Sequence, residues 1–250
     1  MEPRKYKLSA DHVDWRDRFY NFARSTLKES VDMRPMASNV EEQSALGSCT
    51  AQAIVGAYEL LLKRDYPEQF VELSRLFVYY NGRVVEGSPE DEDQGIYIRD
   101  GIKSVDQFGI CQEHLWPYQV DMFSTKPSVE SYNDAATRKI KRYYRIAGLA
   151  DVLDALSNHH PVVAGITVYA GFDHITNSNP VLAMPADNEV ELGGHAVVFV
   201  GYDLAKKLIL VRNSFGSHWG EHGYFWIPFA YIEQDLTDAW IFDIKIAEKG

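Results

Sequence analysis

The segment Glu42-Gln43-Ser44-Ala45-Leu46-Gly47-Ser48-Cys49 and the run behind it constrain this chain most. Gly47 and Ser48 favour a turn. From Cys49 the chain continues Thr50-Ala51-Gln52-Ala53-Ile54-Val55-Gly56-Ala57-Tyr58-Glu59-Leu60-Leu61-Leu62-Lys63-Arg64. Ala and Leu have high helix propensity, the two closing cations suit a helix C-terminus, and Asp65-Tyr66-Pro67 stops the helix. Gly56 costs it roughly 1 kcal/mol relative to Ala, so the helix relies on packing more than on propensity. Its apolar residues fall on nearly every side, the pattern of a helix buried at the centre of a domain. Cys49 therefore stands at the helix start, where unpaired N–H groups and the macrodipole favour an anion such as a thiolate. A buried structural cysteine is the plainer reading, and only partners elsewhere in the chain can displace it.

The bulk properties bound the rest. A chain of 250 residues is one large domain or two small subdomains, with enough length for a sizeable core. At 46% hydrophobic and 13% aromatic residues there is little room for disorder. The net charge of −11 argues against nucleic acid or an anionic membrane as a general partner. The start, Met1 to Lys7, is polar and carries no signal-peptide core, and no apolar stretch approaches the ~20 residues of a membrane span. A cytoplasmic location is the default expectation, with signal-independent export as the alternative. The two cysteines, Cys49 and Cys111, could pair. A thiolate at Cys49 requires that they do not, which leaves Cys111 a free buried thiol.

Along the chain, residues 1–30 stand apart as an N-terminal extension. Within it, Asp14 to Leu27 predicts a short amphipathic helix with Trp15, Phe19 and Phe22 on one face. Val31 to Pro35 is expected to be extended, because Arg34 precedes a proline. After the Cys49 helix come a second helix from Leu73 to Tyr80 and a third from Ile96 to Phe108, capped by Gly109. Between them, Gly87 to Asp93 is a charged loop of the kind that forms a solvated rim. Trp116-Pro117-Tyr118 begins a non-helical crossing. The second half turns β-rich in the segments 161–168, 195–202, 207–212, 224–228 and 239–246. Helices first and strands second predict an α+β fold, divided into a mainly helical part over 31–130 and a mainly β part over 131–250.

The partners that Cys49 needs lie in that second half. Gly193-Gly194-His195-Ala196 places a histidine where glycines give way to a strand, and Asn213 in Arg212-Asn213-Ser214-Phe215-Gly216 ends the next strand. Adjacent antiparallel strands can set these two side by side. An asparagine carbonyl then holds one ring nitrogen and leaves the other toward a thiol, an arrangement of nucleophile, base and orienter.

In these residues the chain resembles the papain-like cysteine peptidases. The resemblance rests on Gln43 with Gly47-Ser48-Cys49, on Gly194-His195-Ala196 with Gly201-Tyr202, and on Asn213-Ser214-Phe215-Gly216 with Trp219-Gly220-Glu221 and Gly223-Tyr224. Gly95, Trp116-Pro117-Tyr118 and Pro161 are weaker echoes, and together they span about residues 31 to 230. The resemblance implies a helical lobe facing an antiparallel β-barrel-like lobe across a cleft. It implies Cys49 as nucleophile, His195 as base and then acid, Asn213 as orienter, and Gln43 with the Cys49 N–H as oxyanion hole. Gly95 and Gly194 would line the substrate strand, with Phe215 and Trp219 as an aromatic wall. The implied reaction is hydrolysis of peptide bonds in a peptide or protein substrate through an acyl-enzyme, with no cofactor or metal and a monomer by default. Another thiol-dependent acyl transfer and an inert binding module are the alternatives.

Several positions depart from the family pattern. Leu46 stands where a disulfide cysteine is common, and Thr50 replaces an aromatic residue. Gly194 replaces an acidic residue, and Phe215 replaces a tryptophan that shields the His–Asn bond. His218-Trp219-Gly220-Glu221-His222 matches a zinc-peptidase pattern, but that pattern needs a helix, and Gly216, Gly220 and Gly223 break this stretch. In this family the mature chain begins roughly 25 residues before the nucleophile. Here the longer stretch ahead of Cys49 adds a piece that either docks as scaffold or leans on the cleft.

Overall fold

The computed structural model describes residues 5–88 and 91–247. Pro89 and Glu90 of the charged loop, and Met1 to Arg4 of the extension, lie outside the described residues. Helix α1 (Cys49–Asp65) is buried along every face from Cys49 to Leu62, as its unbroken apolar perimeter requires. Helices α2 (Arg75–Glu86) and α3 (Ile98–Phe108) pack beside it. Ser74 caps α2, accepting from the Phe77 N–H at 3.1 Å, so the helix begins two residues later than the sequence suggests.

The second half forms one antiparallel sheet of β1 (Ser30–Asp32), β2 (Arg138–Arg145), β3 (Val162–Tyr169), β4 (Glu191–Asp203), β5 (Leu208–Arg212), β6 (Tyr224–Pro228) and β7 (Leu236–Ile246). Six strands follow the order β2-β7-β3-β4-β5-β6, and β1 joins β4 beyond the end of β3. The α+β class holds, but the sheet is open: β2 and β6, the last strands of that order, do not pair with each other, so it is not closed into a barrel. The short helices α4 (Val129–Ala135), α5 (Leu149–Ser157) and α6 (Phe229–Asp235) stand among the strands. Among the described residues no helix is long and apolar enough to cross a membrane.

The expected helix over Asp14 to Leu27 does not form. The segment is irregular with one turn at Trp15-Arg16, and Trp15, Phe19 and Phe22 are exposed at 91%, 56% and 50%. Polar partners distant in sequence prevail over the apolar spacing. The Tyr20 N–H donates to the Arg145 carbonyl and the Arg145 N–H to the Arg18 carbonyl, both at 2.8 Å, so the segment extends the sheet beyond β2. The Tyr20 hydroxyl donates to Asp154 at 2.5 Å, and Asp17 pairs with Arg99 and Arg145 at 3.1 Å each. Val31 to Pro35 is extended only as far as β1, because Arg34–Met36 turns as a 3₁₀ helix started by Pro35.

Asp11 is the deepest anchor of this extension. Its N–H donates to Asp238 at 2.7 Å, and its carboxylate accepts from Trp240 Nε1 at 2.8 Å and from the Arg99 N–H at 3.2 Å. Arg145 pairs with Asp238 from the other side. Burial pushes the Asp238 carboxyl up to about 6, with Asp11 beside it adding to the rise, and burial likewise raises Asp11. A carboxyl raised in the folded state costs stability above its folded pKa, and the cost is relieved as pH falls through that value. Anchorage of the extension should therefore tighten on acidification from about pH 7 to about pH 5. Hydrogen exchange of residues 10–20, corrected for intrinsic rates, should show rising protection over that interval. Falling protection would contradict the assignment.

Candidate active site

Three elements bring the candidate residues together. Helix α1 starts at Cys49, and the Cys49 thiol lies against the backbone N–H of Ala196 in β4. His195 precedes Ala196 in that strand and pairs across to Ile166 of β3. Asn213 follows β5 directly, and its Oδ1 lies 2.8 Å from His195 Nε2. The Ser214 N–H also donates to Oδ1, at 2.9 Å, so two bonds fix which face of the amide meets the ring. Cys49, His195 and Asn213 are all buried.

Gln43 is tied to the same loop. Its N–H donates to the Ser214 carbonyl at 2.9 Å, its Oε1 accepts from the Ser214 hydroxyl at 2.6 Å, and its Nε2 donates to the Leu46 carbonyl at 3.1 Å. The second N–H of Nε2 remains for another acceptor. Tyr118 locks this corner, donating to the Gln43 carbonyl at 2.8 Å and meeting the Ser48 hydroxyl at 2.6 Å. Phe215 stacks on His195 with centroids 5.0 Å apart and meets Trp219 edge-on at 5.5 Å. Phe172, from a 3₁₀ turn with no periodic sequence signal, stacks on Trp219 at 5.3 Å and completes the aromatic wall. The His218 to His222 stretch is a series of turns, with Glu221 bound to Arg34 at 3.2 Å. Among the described residues no group of three or more potential metal ligands exists.

Gly95 and Gly194 face each other across the groove, and the chain's own N-terminal segment lies between them. The Leu8 N–H donates to the Gly194 carbonyl at 3.1 Å. A Cβ on Gly95 would sit 2.8 Å from the Lys7 carbonyl oxygen, and one on Gly194 2.2 Å from that of Leu8, so both walls must be bare for the backbone to pass. Tyr6 sets its ring edge-on to His195 at 5.6 Å, and Leu8 is buried. Asp93 holds the strand: it pairs with Lys5 at 2.7 Å, takes the Lys7 ammonium on its backbone carbonyl, and accepts from the Gly47 N–H at 3.0 Å. Asp93 was expected in a solvated rim, and nothing local in the sequence distinguishes it from its acidic neighbours.

A helix-borne thiol beside a strand-borne imidazole, with the ring held by an amide, is the arrangement that a thiol protease requires. Residues 27–234 match the family model described as papain family cysteine protease, and the chain belongs to that family. An uncharacterized peptidase C1-like protein of Acanthamoeba polyphaga mimivirus is 38% identical over 83% of this chain and 70% of its own. Papain of Carica papaya is 27% identical over 79% of this chain and 54% of its own, so the chain spans about half of that relative. The crystal structure of xylellain, a cysteine protease from Xylella fastidiosa, superposes with a TM-score of 0.88 at 34% identity and covers 99% of both chains. The fold is papain-like, with its sheet open.

Burial pushes the Cys49 thiol above its ordinary value, against the pull of the Ala196 and Thr50 N–H groups. A raised thiol leaves little thiolate near neutral pH. Removing residues 1–9 takes Tyr6 off His195 and Leu8 off Gly194, which should admit solvent to the site while keeping the Asp11, Asp17 and Tyr20 anchors. The pH of half-maximal iodoacetamide labelling at Cys49 should then fall, by about one unit or more, as desolvation is relieved. Cys111, pushed up to about 12 by burial, should stay unlabelled in both proteins, which peptide mapping by mass spectrometry reads directly.

Proposed function

We propose that this protease hydrolyses peptide bonds of peptide or protein substrates through an acyl-enzyme on Cys49, and that residues 5–8 hold it in a closed form. The observation that carries the reading is the 2.8 Å bond from His195 Nε2 to Asn213 Oδ1 beside the Cys49 helix start. His195 Nδ1 takes the thiol proton, and Cys49 Sγ attacks the carbonyl carbon. The oxygen that becomes anionic is received by the Cys49 N–H and the second N–H of Gln43 Nε2. The imidazolium returns its proton to the departing amine, and a water then attacks the thioester with His195 as base. Asn213 keeps Nε2 protonated throughout, which leaves Nδ1 to exchange the proton.

Two measurements test the chemistry. Profiling a peptide library by mass spectrometry should return hydrolysed products that vanish in Cys49→Ala and persist in Cys111→Ala. Products joined to added amines would instead favour acyl transfer. Gln43→Ala should lower kcat about 100-fold, the usual cost of one oxyanion donor, with KM changed little. Circular dichroism controls for the lost Ser214 and Leu46 bonds. Closure is tested separately: the chain lacking residues 1–9 should turn over substrate about tenfold faster or more, since access no longer waits on a minor open population. Equal rates would make the segment scaffold.

A further inference from the structure

Behind Asn213, on the side away from His195, lies a small polar cavity between α1, α2 and the end of β5. The centre of a water molecule can range over about 10 Å³ within it. That is room for one water, provided two to four polar groups receive it. Gln52, Arg75 and Asn213 line the cavity and are all more than nine-tenths buried. Neither polar atom of the Gln52 amide makes a hydrogen bond of normal geometry, and the same holds for Asn213 Nδ2 and Arg75 Nε. Arg75 pairs with Glu41 and Glu113 at 3.2 Å each, although its Nη1 contact with Glu41 also lacks hydrogen-bond geometry. Four orphaned polar atoms around a one-water space form a donor and acceptor set for that water. Left unmet, each would keep the full penalty of its desolvation.

We propose that a buried water in this cavity links Gln52 to Asn213, and that Gln52 is a positioning residue for the reacting groups. Asn213 Nδ2 and Arg75 Nε donate to the water, and the water donates to Gln52 Oε1. Gln52 sits one helical turn beyond Cys49, so the thiol and the support of its orienting amide share one helix. The water fixes the half of the Asn213 amide that the Ser214 N–H does not. A flipped amide would present Nδ2 to His195, favour the tautomer with Nε2 bare, and put a proton on Nδ1. In that tautomer Nδ1 cannot accept the thiol proton. This inference rests on the reading of Cys49, His195 and Asn213 as the reacting unit.

The test is a double-mutant cycle in the full chain with Gln52→Met and Asn213→Ala. Gln52→Met keeps the length of the side chain and removes its hydrogen bonds. It should lower kcat about tenfold with KM unchanged, and change kcat less than about twofold once Asn213 is alanine. The ¹⁵N resonance of His195 Nε2 should move from the protonated toward the unprotonated range in Gln52→Met. Gln52 also lies against the Tyr118 hydroxyl. A penalty of equal size in both backgrounds would place its effect there and overturn the proposal. A silent Asn213→Ala would overturn the triad reading and this inference with it. Independently of any variant, a high-resolution crystal structure of the native chain should show a water within hydrogen-bond distance of Asn213 Nδ2, and a dry cavity would refute the link.

Discussion

The complete burial of α1 is the constraint on which the cleft depends. A helix with apolar residues all round has no face to give to solvent, so it must be enclosed by α2 and α3 on one side and by the sheet on the other. Enclosure fixes where the helix begins, and hence where Cys49 lies relative to β4. Enclosure also has a cost, because Glu59 sits in the middle of the helix. Its carboxylate is raised by burial and accepts from the Leu73 N–H at 2.8 Å. Arg75 and Arg212 stand near enough to act on its charge, and Arg212 also donates to the Ser38 carbonyl at 2.8 Å. These buried charges tie α1, α2, β5 and the chain ahead of Gln43 into one unit. Removing one partner from such a group leaves the others uncompensated, which is more damaging than the pair is stabilising.

The site inherits its rigidity from backbone pairing as much as from side chains. The Gly216 N–H donates to the Glu41 carbonyl at 2.8 Å, and the Gln43 N–H to the Ser214 carbonyl, so the segment ahead of α1 and the Asn213 loop run as a short ladder. Gln43 and Asn213 therefore cannot shift independently. The aromatic wall of Phe172, Phe215 and Trp219 then covers the imidazole without supplying any reacting group. Phenylalanine at 215 covers less area than tryptophan would and lacks an indole N–H, yet its ring still lies nearly parallel to the histidine, at 29°.

How much of this was legible depended on whether the deciding contacts were local. The Cys49 helix showed itself through composition and stop signals, and β3 to β7 through β-branched runs bounded by turn residues. Strand β2, Arg-Lys-Ile-Lys-Arg-Tyr-Tyr-Arg, gives no strand signal because an edge strand with five cations has no apolar alternation. The extension was misread as a helix because Trp15, Phe19 and Phe22 mimic helical spacing. Asp11, Asp17 and Tyr20 decide its path, and their partners are Arg99, Arg145, Asp154 and Trp240. At the site, the order of Cys49, His195 and Asn213 was readable as chemistry. Tyr6, Asp93 and Phe172 were not, since each matters only through residues far away in sequence.

The bare walls of the groove carry a consequence beyond access. The N-terminal half of β4 pairs with β3 on one edge. Along its other edge, Lys7 and Leu8 meet it at Gly194. When that short segment leaves, unpaired N–H and carbonyl groups face outward on a strand flanked by glycine, a template for any extended chain. A substrate satisfies that edge, and so would the displaced segment of a second molecule. On the proposed opening, the protein would carry a self-association hazard that the closed form lacks, with residues 5–8 as the sheet's protective selvage as well as its occupant.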